Sequence, residues 1–163
     1  MKLAAVGLMC VVLSSAGLAQ HDASVHDQHM ADVKKHGAEA MGFDQDKTTH
    51  HFRLYKDGGA VEVLAKDPAD TASIAQIRDH LKQQARKFAA GDFGAPQHTH
   101  GQVPPGVETM TKLRSKIQYG FQSTERGGRL RITTADAQAL AAVHDFLRFQ
   151  IEDHRTGDKT SVE

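Results

Sequence analysis

Twice along this chain, two short runs of alternating apolar residues flank a glycine turn and are followed by an apolar stripe at helical spacing. In the first pass Phe52 and Leu54 alternate with Arg53 and Tyr55, Asp57-Gly58-Gly59 turns the chain, and Val61 and Val63 resume the alternation. Period two around glycine specifies a β-hairpin. Asp67-Pro68-Ala69-Asp70-Thr71 then announces a helix, Ile74, Ile77, Leu81, Ala85 and Phe88 form its stripe, and Gly91 ends it. In the second pass Ile117, Tyr119 and Phe121 alternate, Gly127-Gly128 turns, and Leu130 and Ile132 follow. Asp136 then precedes a stripe of Leu140, Val143, Leu147 and Ile151 that stops before Gly157.

Matching the turns aligns Val61 with Leu130 and Val63 with Ile132. In the helices Ile77-x-Asp79-x-Leu81 aligns with Val143-x-Asp145-x-Leu147. A duplicated ββα unit and two independent hairpin–helix units both give this order. Either predicts an α+β fold: two ββα units forming a four-stranded antiparallel sheet with two helices packed on one face. The Gly- and Pro-rich stretch between the passes, Gly91 to Leu113, reads as a loop with a short helix where Val107, Met110 and Leu113 recur.

The ends differ in kind. Residues 1–19 carry Lys2, an apolar run from Leu3 to Leu13, and Gly17-Leu18-Ala19, the pattern of a secretory signal peptide cleaved after Ala19. Residues 20–46 are polar and histidine-rich and are expected to be a mobile tail, with a helical piece docking through Met41-Gly42-Phe43. Residues 47–157 form the single α+β domain, and 158–163 a disordered C-terminus. A periplasmic or secreted location follows. The apolar run is too short to span a bilayer, so no stable membrane insertion is expected after cleavage.

Several chemistries are excluded. Cys10, the sole cysteine, lies in the leader, so the rest of the chain has no disulfide or thiolate. With 20 basic and 20 acidic residues there is no electrostatic bias toward nucleic acid. No H-E-x-x-H, G-x-S-x-G, Walker A or G-x-G-x-x-G motif occurs, and no catalytic residue is assigned.

The strings Met41 to Phe52, Lys56-Asp57-Gly58-Gly59, Pro104 to Val107 and His144 to Asp158 resemble a family of small exported bacterial proteins of no established activity. The resemblance covers Met41 to Asp158. An aspartate carbamoyltransferase label attached to some members is opposed by the residues here. That enzyme type needs a Ser-Thr-Arg-Thr kind of phosphate site at a helix start. The nearest string, Ser123-Thr124-Glu125-Arg126, is a hairpin turn carrying an acid.

Eleven histidines are the compositional outlier. Strand parity places His50 on the core face with Phe52 and Leu54, and His51 on the outer face. His144 and His154 border the stripe of the second helix, about 15 Å apart along its axis. One ion cannot bind both, but His50 meets one of them at one end of the sandwich. The competing reading has each ring at the core edge, bonded to a backbone carbonyl. His98 and His100 form an H-x-H that, in an extended loop, turns both rings one way. His80 lies off the stripe of the first helix and is expected at the surface. In the tail His26, His29, Met30 and His36 recur at three- and four-residue steps, and imidazole with thioether favours reduced copper.

The sequence therefore points to an exported protein that binds or buffers a transition metal, copper before zinc or nickel. The candidate ligands are His26, His29, Met30, His36, His50, His98, His100 and His144. The alternative is a metal-independent interaction module or homodimer using the outer sheet face around His51, Arg53, Tyr55 and Leu64. A heme with His144 or His50 as axial ligand is a third reading.

Overall fold

A computed structural model describes residues 27–28, 31–33, 35–37 and 41–163. The expected leader, and with it Cys10, lies outside the described residues. Strands β1 (Thr48–Tyr55) and β2 (Gly58–Ala65) form the first hairpin, and β3 (Ile117–Thr124) and β4 (Gly127–Thr134) the second. The sheet order is β1-β2-β4-β3, antiparallel throughout. Helices α1 (Thr71–Ala89) and α4 (Ala137–Asp153) cover one face, with short helices α2 (Gly94–His100) and α3 (Val107–Lys112) between the units. This is the α+β sandwich that the two passes predict. Among the described residues no helix is long and apolar enough to cross a membrane.

The central pairing of β2 with β4 makes the two units near-equivalent. Val61 pairs with Leu130, its own counterpart, and Gly58↔Thr133 mirrors Leu64↔Gly127. A pseudo-two-fold axis thus passes through Val61 and Leu130. The glycine pairs do not occupy the turns; Lys56-Asp57 and Glu125-Arg126 do, and the glycines open β2 and β4. The reason is space. Gly58 has φ +141, and a Cβ there would strike the carbonyl oxygen of Ile132, while one on Gly127 would strike that of Val63.

Both long helices start on an aspartate. Asp70 accepts from Ser73 N, and Asp136 from Gln138 N and Ala139 N. The α1 stripe of Ile74, Ile77, Leu81, Ala85 and Phe88 is buried, as are Val143, Leu147 and Ile151 of α4. Leu140 is only half-buried, and Ala139, Ala142 and Phe146 complete that face instead.

Two segments depart from the sequence reading, and a third, the N-terminal one, docks as expected. Helix α2 stands where a loop is expected. Asp92 Oδ1 accepts from Gly94 N at its start, Pro96 falls in the first turn where no amide is needed, and Phe93 stacks on Phe88 at 4.5 Å. Residues 158–163, expected to be disordered, run beside the β1 edge. Asp158 Oδ2 accepts from Phe52 N at 3.0 Å, and Glu163 N donates to Leu54 O at 2.9 Å. These contacts satisfy edge groups that a free terminus would leave to water. On the N-terminal side the described residues between 27 and 41 are helical, Val33 is 3% exposed, and Phe43 belongs to the core.

Candidate functional site

The site lies near the pseudo-dyad, between the sheet and the helices. Strand parity turns His50 inward beside Phe52, and the end of α4 brings His154 to meet it. Their rings are parallel, 6.3 Å between centroids, with Phe52 stacked on His154 at 5.6 Å. Helix α1 contributes His80 and Gln84, one turn apart, and α2 contributes His100. The N-terminal segment closes the top. Met41 places its Sδ 3.1 Å from His50 Nε2, and Phe43 packs edge-on against His80 at 5.5 Å. Met41, His50, His80, Gln84, His100 and His154 line a half-open cavity of about 80 Å³ whose remaining walls are largely apolar, with Val61 and Leu130 on the sheet side.

Burial governs the charge state here. Desolvation, reinforced by His80 and His51, pushes His50 down to about 4. Desolvation and Lys87 push His80 to about 4. Desolvation, His100 and His50 push His154 to about 3, against the opposing pull of Asp153. All three imidazoles are therefore neutral near pH 7, the form in which a ring nitrogen can ligate a metal.

His100 is held differently. It is 6% exposed; its Nδ1 donates to Asp153 Oδ2 at 2.6 Å, and its Nε2 lies 3.0 Å from Gln150 Oε1. Its ring meets that of His154 edge-on at 4.9 Å. Two buried amide atoms on the cavity wall have no partner, Gln84 Oε1 and Gln150 Nε2.

The expected ligands separate accordingly. His50 and His100 line the cavity, and of the two α4 histidines it is His154 that joins His50. His144 does not. Its Nε2 donates to Tyr55 O (2.9 Å) and Gly58 O (3.0 Å), so this ring clamps the first hairpin to α4. The H-x-H is not a chelating pair, because residues two apart on a helix diverge by about 200°. His98 is exposed and His100 buried. His98 instead meets His36 of the N-terminal segment, ring centroids 5.0 Å apart. His26, His29 and Met30 lie outside the described residues.

His80, expected at the surface, is half-buried and lines the cavity, with Phe43 packed against the flank of α1 that the helix alone leaves open. The missed signal was its spacing with Gln84 and Phe88, at four-residue steps beside the stripe. Phe146, Gln150 and His154 repeat that spacing on α4. On the outer face His51 is bonded to Asp158, Arg129 to Glu62, and Arg131 lies over the Tyr55 ring at 4.7 Å. Among the described residues the exposed large hydrophobics are Val103 and Val162.

Among the described residues no group of three or more His, Cys, Asp or Glu is placed to hold a metal ion. Comparison of the chain with protein-family models, with curated proteins and with solved structures finds no match.

Proposed function

We propose that this protein is an exported transition-metal binding or buffering protein whose ordered site is the interior cavity, with copper(I) its preferred ion and His50, His154 and Met41 its ligands. The observation that carries this reading is the convergence of neutral-held imidazoles and one thioether on a small, largely apolar space. Zinc asks for three or four nitrogen, oxygen or thiolate donors. Two imidazoles and a thioether suit copper(I), which accepts few, soft ligands. The separation of His50 Nε2 from Met41 Sδ, 3.1 Å, is also suited to a shared ion. Two such donors on one metal stand roughly 3.5 Å apart when bond lengths are about 2.0 and 2.3 Å. The histidine-rich N-terminal segment, with His36 already against His98, serves as the capturing arm.

The test is a copper(I) titration of the untagged chain by competition with a chromophoric chelator, with zinc in parallel. Sub-micromolar copper(I) binding that falls at least about 100-fold in His50→Ala and in His154→Ala supports the reading. Equal binding by these variants, or binding abolished by removing the residues before Met41 while the domain stays folded, sinks it.

A further inference from the structure

The two edges of the sheet are finished differently. On β1 the C-terminal segment supplies an acid-bearing neighbour. Asp158 accepts from Phe52 N and meets His51, while Glu163 donates from its N to Leu54 O and pairs with Arg53. The pseudo-dyad relates Phe52 to Phe121 and Leu54 to Ser123, since each pair faces equivalent residues of β2 and β4. On β3 the matching groups are bare. Among the described residues nothing bonds the N–H and C=O that Tyr119, Phe121 and Ser123 turn away from β4. Nor is this edge guarded. From Ile117 to Thr124 it carries no charge and no proline, the devices that keep an open edge from pairing.

Beside that edge, β3 and α1 form a groove lined by Lys82, Ala85, Arg86, Ala89, Tyr119 and Phe121, none of which lines the histidine cavity. Tyr119 and Phe121 are half-buried, and the Tyr119 hydroxyl is buried without a partner. The charge here is positive. Lys82 Nζ lies 5.3 Å from the centre of the Phe121 ring and makes only an exposed pair with Asp79. Among the described residues no acid is paired with Arg86. We propose that β3 is a docking edge for an extended acidic segment of a partner protein, which adds a strand to the sheet with its carboxylates turned to Lys82 and Arg86. Main-chain bonds to Tyr119, Phe121 and Ser123 hold such a strand, and its alternate side chains select it. Every second residue of the guest faces the helix side, where Tyr119 and Phe121 offer apolar surface and Lys82 and Arg86 the charge. A second copy of this chain fits less well, because pairing β3 with itself about a two-fold axis sets the same cations along one seam. The proposal does not depend on the metal reading.

The probe is a short fluorescent peptide of alternating valine and glutamate, titrated into the full chain with a metal chelator present, beside its valine–lysine analogue. The glutamate peptide is expected to bind, with amide shifts in the NMR spectrum centred on Tyr119, Phe121 and Ser123. Lys82→Glu combined with Arg86→Glu should weaken it at least about 10-fold. Ser123→Pro removes an outward N–H while leaving the ladder to β4 its bonds, and should weaken it about 5-fold or more. These side chains are all exposed, and urea unfolding checks that both variants stay folded. Equal binding of the lysine peptide, shifts that fall elsewhere, or no binding at roughly millimolar peptide overturns the proposal. So does a concentration-dependent dimer that Ser123→Pro dissolves, which gives the edge to a second copy. None of these outcomes bears on copper(I) at the cavity.

Discussion

The two ββα units place different chemistry at equivalent positions. Arg78 of α1 donates from Nε to Gly127 O and from Nη2 to Thr124 O, the carbonyls that bracket the second hairpin turn. His144, its counterpart on α4, donates to Gly58 O and Tyr55 O, the carbonyls that bracket the first. Each helix thus clamps the other unit's hairpin, once with a guanidinium and once with an imidazole. Elsewhere the units diverge: His50 of β1 matches Tyr119 of β3, His154 matches Phe88, and His80 matches Phe146. Two kinds of histidine follow. His144 does a structural task that an arginine also does, whereas His50, His80 and His154 stand where the other unit has an aromatic core residue. A neutral imidazole packs there at the expense of its hydration, and a ligand is what would compensate.

The largest expected effect sharpens this division through pH. Burial lowers His50, His80 and His154 from an unfolded value of 6.5 to about 4, 4 and 3. Between pH 6.5 and 4 the unfolded chain therefore carries more protons than the folded one, so stability rises with pH across this window and is lost as pH falls. The loss is roughly 3 kcal/mol for the three together, discounted for partial exposure. Urea unfolding at stepped pH measures it. His154→Gln should flatten the slope, and an unchanged slope would break the distinction between the two kinds.

Next come the clamps. His144→Ala removes a buried donor from two carbonyls and should cost about 2–3 kcal/mol, and Arg78→Ala, at the more exposed end, about 1–2 kcal/mol. Chemical denaturation reads both. Copper(I) affinity of a folded His144→Ala protein should be unchanged; a large loss would return His144 to the site. A smaller effect is expected at the thioether. Met41→Leu keeps the volume and should weaken copper(I) about 10-fold while leaving zinc unaffected, since only the soft ion uses the sulfur. Smallest is the arm. His36→Ala should change equilibrium affinity at the cavity by less than about 3-fold, measured by the same competition, because His36 meets His98 outside it.

Much of the fold was legible because local patterns and global packing agree. Period-two apolar runs, paired glycines and aspartate caps place all four strands and both long helices, and strand parity alone separates His50 from His51. The pairing of Val61 with Leu130 was not legible, since aligning the two turns does not say which strands meet. The site was only half legible. His50 is placed, and one α4 histidine is expected to join it, but the H-x-H reads as an extended loop with both rings on one side, whereas the helix α2 sets His98 and His100 on different sides. His80 was misplaced because helical periodicity reports the face that meets the sheet. It is silent about a flank roofed by Phe43 from a distant segment.

By itself, then, the sequence determined the hairpins, the helix stripes and an excess of imidazole. Those are properties of short windows and of composition, where side-chain period and backbone propensity act directly. Only the tertiary structure decided which imidazoles are spent on carbonyls and which are buried around one cavity. It also set Gln84 and Gln150 there with unmet amide atoms. Desolvation and hydrogen-bond supply are fixed by residues tens of positions away, brought together when β2 pairs with β4 about the axis through Val61 and Leu130.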